Sequence, residues 1–297
     1  MTSAAPAITA LKPFYKWPGG KGRLLPQILP VLTPYLAAAA QYMEPFLGGG
    51  AVYFAAGHHA PAALLSDHNP HIVATMIAVR DRPDQVLERF GEHAAQHSPE
   101  HYYSLRPAMR VVPTDFGNPD KLVEAAARFL YMNKATYNGL YRENASGGFN
   151  APYGDGRPVK MDEVKLRAAS AALQTATIRW GSYDAQVAPG AGDVAYVDPP
   201  YLPASRTANF TSYTAGGFAG GDQLRLAAWC RRAADRGAVV VLSNAGTPES
   251  LGVFVRDASS GRGADEVIPI PAAPRAISCK ASARLPVPEY LFVYRPQ

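Results

Sequence analysis

The chain is poor in cysteine. Its two cysteines, Cys230 and Cys279, make neither a disulfide framework nor a metal-ligand spacing, which suits a reducing cytoplasm. Long apolar runs are missing too: none approaches the roughly 18 residues that a membrane-spanning helix needs. Met1 to Ala10 has neither the basic start nor the long apolar segment of a signal peptide. The GxxxxGK[ST] spacing of a Walker loop is absent from the glycine-rich stretch near residue 20. A full GxGxxG dinucleotide fingerprint fails as well, because Tyr53 stands where the third glycine belongs. No internal repeat occurs, and the only low-complexity tract is Ala37 to Ala40. These absences exclude a disulfide scaffold, a membrane-spanning helix and a P-loop nucleotidase.

What remains is an ordinary globular composition. The 297 residues are 47% hydrophobic and 18% charged, enough for one large α/β domain with an insert or for two domains. The net charge of +5 leans toward an anionic partner, and a slightly basic enzyme with no polyanion to bind would look the same.

The most informative stretch is Asp193-Val194-Ala195-Tyr196-Val197-Asp198-Pro199-Pro200-Tyr201. Val194 to Val197 is the compact apolar run of a buried parallel strand. Pro199 and Pro200 lack backbone N–H donors and hold φ near −65°, so the sheet ladder stops there. The Asp198 carboxylate and the Tyr201 ring therefore project from a stiff turn. Together with the proline carbonyls they could hold a planar, amino-bearing heterocycle. Alternatively, Asp198 caps whatever follows the turn.

Other segments supply further chemistry. Residues 14–23, Phe-Tyr-Lys-Trp-Pro-Gly-Gly-Lys-Gly-Arg, combine glycines, cations and aromatics in a loop able to meet an anion or a carboxylate. A helix is expected from Leu24 toward Leu32, stopped by Pro34. Residues 42–54, YMEPFLGGGAVYF, read as a strand, a glycine turn and a helix start. Leu64 to Asp67 is a second strand ending in an acid. Asp67 follows Gly48 by nineteen positions, near the spacing at which nucleotide-binding folds offer a carboxylate to ribose hydroxyls. An adenosine-containing cofactor is the sharper reading; a plain glycine turn is the alternative.

From Asn69 to Lys160 helical periodicity replaces strand–turn–helix alternation, so a mostly helical insert is expected. It ends in Asn133 to Asn150, where Asn-Gly and Ser-Gly-Gly signal a hairpin or loop pair. Tyr137, Leu140 and Tyr141 beside Lys134 and Arg142 form the aromatic and cationic mixture that wedges into DNA and reads base edges. They would serve equally as a loop packed back on the insert. After Asp198, Pro203 to Gly221 has the composition of a flap. A helix over Leu224 to Ala234 closed by Gly237, a buried strand over Ala238 to Asn244 and an edge strand over Glu289 to Tyr294 complete the pattern.

Nine motifs in one order carry a resemblance: KWPGGK (16–21), EPFLGGG (44–50), SDHN (66–69), YNGLYR (137–142), GFNAPYG (148–154), DPPY (198–201), TANFTSY (207–213), VLSN (241–244) and RAIS (275–278). From Lys16 to about Tyr294 the chain resembles the Dam-type N6-adenine DNA methyltransferases, the D12 class or α group. That resemblance implies a Rossmann-like α/β fold: a seven-stranded, mostly parallel sheet with an inserted, mainly helical DNA-recognition domain. The catalytic domain would comprise 1–68 and 161–297, and the target-recognition domain 69–160. It implies S-adenosylmethionine as cofactor, touched by Trp17, Lys21, Phe46, Gly48, Gly50, Asp67 and Asp198. Asp198, Pro199, Pro200 and Tyr201 would hold the target adenine. Lys16, Tyr137, Asn138, Leu140, Arg142 and Pro152 match positions that recognise or intercalate into GATC-containing DNA. Pro18 replaces the family's usual alanine, Tyr141 fills a variable slot, and Ser278 to Pro288 lacks the usual Gly-Gly-basic run. Double-stranded DNA is the implied partner of a cytoplasmic monomer, with no metal and no membrane. A nicotinamide oxidoreductase, a non-catalytic DNA-binding relative, and an RNA or N4-cytosine methyltransferase are the rivals. N4-cytosine enzymes typically carry Ser where this chain has Asp198.

Overall fold

The computed structural model describes residues 11–110, 113, 115–144, 147–201, 218, 220–255, 262–273 and 287–297. The chain runs through α1 (Leu25–Leu36), β1 (Gln41–Glu44), α2 (Ala51–Ala55), β2 (Ala63–Asp67), α3 (Pro70–Asp81) and α4 (Pro83–Ala95). Next come α5 (Pro99–Leu105), α6 (Pro119–Ala135), α7 (Glu163–Leu173), β3 (Ala176–Trp180) and β4 (Asp193–Val197). It ends with α8 (Gly220–Asp235), β5 (Val239–Ala245), α9 (Pro248–Phe254), β6 (Glu266–Ala273) and β7 (Val287–Tyr294). TANFTSY, RAIS, Cys279 and nearly all of the expected flap lie outside the described residues. No described helix is long and apolar enough to cross a membrane.

The strands form one seven-stranded sheet in the order β3-β2-β1-β4-β5-β7-β6. The first five positions are parallel, and β7 runs antiparallel to both β5 and β6. The chain builds outward from β1 through β2 to β3, then returns to lay β4 on the other side of β1. That reversal is a topological switch point. At such a point the loops leaving two adjacent parallel strands diverge to opposite faces and open a crevice. Met43 pairs with Ala195, so the ends of β1 and β4 reach this crevice side by side.

Burial on both faces explains the continuous apolar runs. Tyr42, Val194, Tyr196 and Val241 point into the core layer shared with α1, α3 and α6. Met43, Ala195, Val197, Val240 and Leu242 point into the opposite layer, with Trp229 and Cys230 of α8. Alternate side chains thus serve different helical layers, and each fully buried Val or Leu contributes about 1.5–3 kcal/mol. Elements α3 to α7 all fall between β2 and β3. Helix α3 is tied in at its start, where the Asn69 side chain accepts from the His71 N–H at 2.9 Å, and it packs on β2, β3 and α6.

Three elements differ from the sequence expectation. Helix α1 does not stop at Pro34 but continues to Leu36 through Pro30 and Pro34. Pro26, Pro30 and Pro34 recur every fourth residue on the exposed face. The carbonyls left without an N–H partner therefore face water, while Ile28 and Leu32 keep the buried face intact. Helix α8 begins at Gly220, four residues before Leu224. Strand β7 is not an edge, because β6 covers its outer side. The prolines of β6, Pro269 and Pro271, hide it in the sequence, and an edge position is where a sheet tolerates them.

Candidate active site

Asp198 leaves the sheet directly after β4 and is held from two sides. Its Oδ1 accepts a hydrogen bond from Ser243 Oγ at 2.9 Å, and Ser243 in turn accepts from the Tyr196 hydroxyl at 3.0 Å. Its Oδ2 lies 2.8 Å from Lys21 Nζ. Lys21 is only 6% exposed, and its ammonium also donates to the Gly19 carbonyl at 3.0 Å. A buried lysine needs such partners, because an unpaired ammonium would cost several kcal/mol. The same Nζ lies 4.7 Å from the centre of the Tyr201 ring. One amine thus occupies both the carboxylate and a face of the aromatic. Among the described residues Asp198 caps no helix.

Tyr201 is anchored at its far end, where its hydroxyl donates to Glu289 Oε2 at 2.6 Å. Burial, then the charges of Asp198 and Glu289, push the phenol well above its ordinary pKa. The Pro200 carbonyl accepts from Gln223 Nε2 at 2.7 Å. Gln223 Oε1 accepts from Asn244 Nδ2 at 3.1 Å. The turn is therefore braced by proline stiffness and by side chains from α8, β5 and β7.

Beside it, the turn after β1 forms a cradle. Gly48 has φ +51°, and a Cβ there would lie 2.8 Å from Trp17 Cδ1, so the indole closes against bare backbone. The Gly48 N–H donates to Asp67 Oδ2 at 2.8 Å, and its carbonyl accepts from the Tyr15 hydroxyl at 2.6 Å. Asp67 Oδ1 accepts from the Asn69 N–H at 2.8 Å. Burial raises the Asp67 pKa, opposed by these backbone donors. Gly50, also at positive φ (68°), caps α2, and the Phe46 ring lies 5.4 Å from that of Tyr183. An acid at the end of β2, facing a glycine turn at the end of β1, suits a nucleoside with vicinal hydroxyls. The carboxylate keeps lone pairs beyond the two already used.

The DNA-reading candidates form a second group. The Tyr137–Gly139 turn is a single 3-10 turn with Asn138 at φ 55°. Tyr137, Asn138, Arg142, Pro152 and Lys16 are exposed, and Leu140 is half-buried. Bridges Thr136↔Tyr153 and Glu143↔Phe149 close the expected loop pair. Within it, Arg142 donates to the Asn150 side chain at 2.7 Å and to its carbonyl at 3.0 Å. Tyr141 does not join this exposed set. It is 2% exposed, its ring sits 4.9 Å from that of Trp17, and its hydroxyl donates to Glu143 at 2.6 Å. For this residue the packing alternative is the correct one.

Residues 17–262 match the family profile of the D12 class N6 adenine-specific DNA methyltransferases. The chain belongs to that family. It is 38% identical over 245 residues to Type II methyltransferase M1.LlaDCHI of Lactococcus lactis subsp. cremoris, covering 80% of this chain and 82% of the relative. It is 32% identical over 285 residues to the DNA adenine methylase of Vibrio cholerae, covering 95% and 96%. The DNA adenine methylase of Escherichia coli K12 is 29% identical over 286 residues, with 95% coverage of each. This chain is therefore an adenine-specific DNA methyltransferase of the D12 class.

Several side chains of this D12 enzyme's site were not assigned roles from sequence. Ser243 stood within VLSN, near the end of the most apolar strand, with no role attached. Glu289 comes from the antiparallel strand β7, and Gln223 from the first turn of α8. Glu44 lies inside the EPFLGGG motif yet is 2% exposed, with the Tyr42 hydroxyl donating to it at 2.7 Å. Burial first, opposed by that hydrogen bond and assisted by the charges of Asp198 and Asp67, raises its pKa to about 8. An acid directly after the apolar pair Tyr42-Met43, at the end of β1, is the signal that marks Glu44.

Proposed function

We propose that this methyltransferase transfers a methyl group from S-adenosylmethionine to N6 of an adenine flipped out of double-stranded DNA, within GATC. The cradle described above fits the cofactor: Asp67 for its ribose hydroxyls, Gly48 and Gly50 for close backbone approach, Trp17 and Phe46 as apolar walls, and Lys21 for its carboxylate. When bound, S-adenosylmethionine supplies an electrophilic sulfonium methyl.

The observation that carries the reading is the Lys21–Asp198 pair under Tyr201. The resting site already holds an amine at an acceptor and against a ring face, which is the arrangement that the adenine amino group requires. Stacking hides that amino group in the duplex, so the base must leave the helix at a cost of a few kcal/mol. Stacking on Tyr201 recovers about 1–3 kcal/mol. For adenine to use Asp198, Lys21 gives up Oδ2. Asp198 then accepts one N6–H, and the Pro199 carbonyl accepts the other. This draws N6 toward tetrahedral geometry and frees its lone pair, which is otherwise delocalised into the ring. That lone pair would take the methyl that the cofactor would supply, the C–S electrons staying with the departing S-adenosylhomocysteine, and the N6 proton held by Asp198 would pass from it to water. Much of the rate comes from in-line positioning.

Residues 69–160 serve as the target-recognition unit, with Lys16 lent by the catalytic part. The GATC assignment rests on the resemblance of Lys16, Tyr137, Asn138, Leu140, Arg142 and Pro152 to Dam positions. The enzyme acts as a monomer on DNA in the cytoplasm of a bacterial or phage-infected cell. Incubating unmethylated plasmid with S-adenosylmethionine and then digesting it with methylation-sensitive nucleases tests the reading. Protection at GATC is expected. Protection at another sequence overturns the specificity, and absence of methyl transfer overturns the activity.

A further inference from the structure

Lys16 and the Tyr137–Gly139 turn come from distant parts of the sequence, yet one side chain brackets both. Asn133, in the last turn of α6, is 4% exposed. Its Oδ1 accepts from the Lys16 N–H at 3.3 Å, and its Nδ2 donates to the Lys16 carbonyl at 2.8 Å, across 117 residues of sequence. The same Nδ2 donates to the Gly139 carbonyl at 3.4 Å. The turn closes from the other side as well: Gly139 has φ +72°, and a Cβ there would lie 3.0 Å from both Cβ and Cδ of Lys16. The Lys16 stem therefore lies on bare backbone of the turn, while the residue remains exposed on the surface that carries Tyr137 and Asn138.

Helix geometry does not require an asparagine here. In a helix interior it is less favourable than alanine by a few tenths of a kcal/mol. Burying a carboxamide also costs energy unless its hydrogen bonds are made. Only Asn has the length and the donor–acceptor pair to satisfy both backbone polar groups of Lys16 and still reach the turn. Asp would set an acceptor against two carbonyls.

We propose that Asn133 is a positioning residue for base recognition. Its carboxamide holds Lys16 in register with the Tyr137–Gly139 turn, so that both address the same base pairs. The proposal rests on the DNA-reading role given above to Lys16 and the turn. Asn133 touches neither cofactor nor base, so its loss changes sequence discrimination rather than cofactor binding.

The test uses the full chain and the recognition site mapped on plasmid. It compares kcat/KM on a duplex carrying that site with kcat/KM on duplexes carrying one changed base pair. S-adenosylhomocysteine affinity and thermal melting are measured in parallel. In Asn133→Asp the ratio of correct to altered site is expected to fall about tenfold, the scale of one misread base pair. S-adenosylhomocysteine affinity should stay within about twofold of wild type. Because Asn133 acts through Lys16, combining Asn133→Asp with Lys16→Met should cost no more discrimination than Lys16→Met alone. Gly139→Ala disturbs the same register from the turn without touching α6, and it carries the test if Asn133→Asp does not fold. An unchanged ratio in a folded variant, equal loss on every duplex, or additive losses in the double variant each overturn the proposal. An inactive wild type instead overturns the functional reading, whereas an active enzyme with unaltered discrimination overturns only the role of Asn133.

Discussion

The mouth of β4 and the recognition turn are built on opposite plans. At the mouth, side chains satisfy one another: Lys21 and Ser243 hold Asp198, and Glu289 holds Tyr201. At the turn, the backbone is fixed by a buried carboxamide while Tyr137 and Asn138 stay exposed. The difference follows from the tasks proposed for the two regions. Chemistry needs groups already aimed, and desolvated charges stay aimed only when paired. Reading DNA needs side-chain tips that remain available to an outside partner on a backbone that does not shift. On the proposed function the site at Asp198 must therefore release an internal contact to admit its substrate, while the Tyr137–Gly139 turn need only be placed.

Breaking the mouth should cost most. Asp198→Ala is expected to lower methyl transfer by at least about 10²–10⁴-fold, the range of a lost positioned proton acceptor. DNA binding measured by gel shift should remain largely intact; near-normal turnover would sink the assignment of Asp198. Lys21→Met removes the cation between Asp198 and Tyr201 and leaves a half-buried carboxylate without that partner. A loss of roughly 2–4 kcal/mol in denaturant-measured stability is expected, whereas Lys16→Met at the exposed turn should change stability by less than about 0.5 kcal/mol. Equal losses for the two lysines would erase the contrast.

Glu44 gives a pH-dependent version of the same test. Its pKa in the folded protein is about 8 against the ordinary 4.5, so between these values the unfolded chain ionises first. Folding therefore loses stability as pH rises from about 4.5 to 8 and recovers it as pH falls. Glu44→Gln has no such proton to lose. It should melt higher than wild type at pH 8, by the equivalent of a few kcal/mol, with the gap closing at pH 5. A gap that is constant with pH would refute the buried neutral acid. The smallest effect is expected for Glu289→Gln, which keeps an acceptor for the Tyr201 hydroxyl. It should cost about 1 kcal/mol or less and weaken fluorescence from a flipped 2-aminopurine placed at the target position, leaving cofactor affinity unchanged.

Much of the site was legible because its parts are local. Asp198-Pro-Pro-Tyr201 states its own geometry: an apolar strand, two residues that cannot pair, and a polar group on either side. The glycine turn and Asp67 were legible as the ends of neighbouring strands. For Tyr141 both readings stayed open, because composition marks an aromatic in a cationic loop without telling which side of the loop faces the protein. Strand β6 escaped because its prolines argue against a strand unless its edge position is known.

The sequence by itself determined the ends of β1, β2, β4 and β5, the helical run after β2 and the family, since these depend on spacing along the chain. Only the tertiary structure decided that Lys21 fills the place beside Asp198, that Glu289 and Ser243 complete it, and that Asn133 joins Lys16 to the recognition turn. Each of those contacts joins residues far apart in the chain. Local preference carries no information about them, because a hydrogen bond between distant segments exists only after the sheet has brought them together.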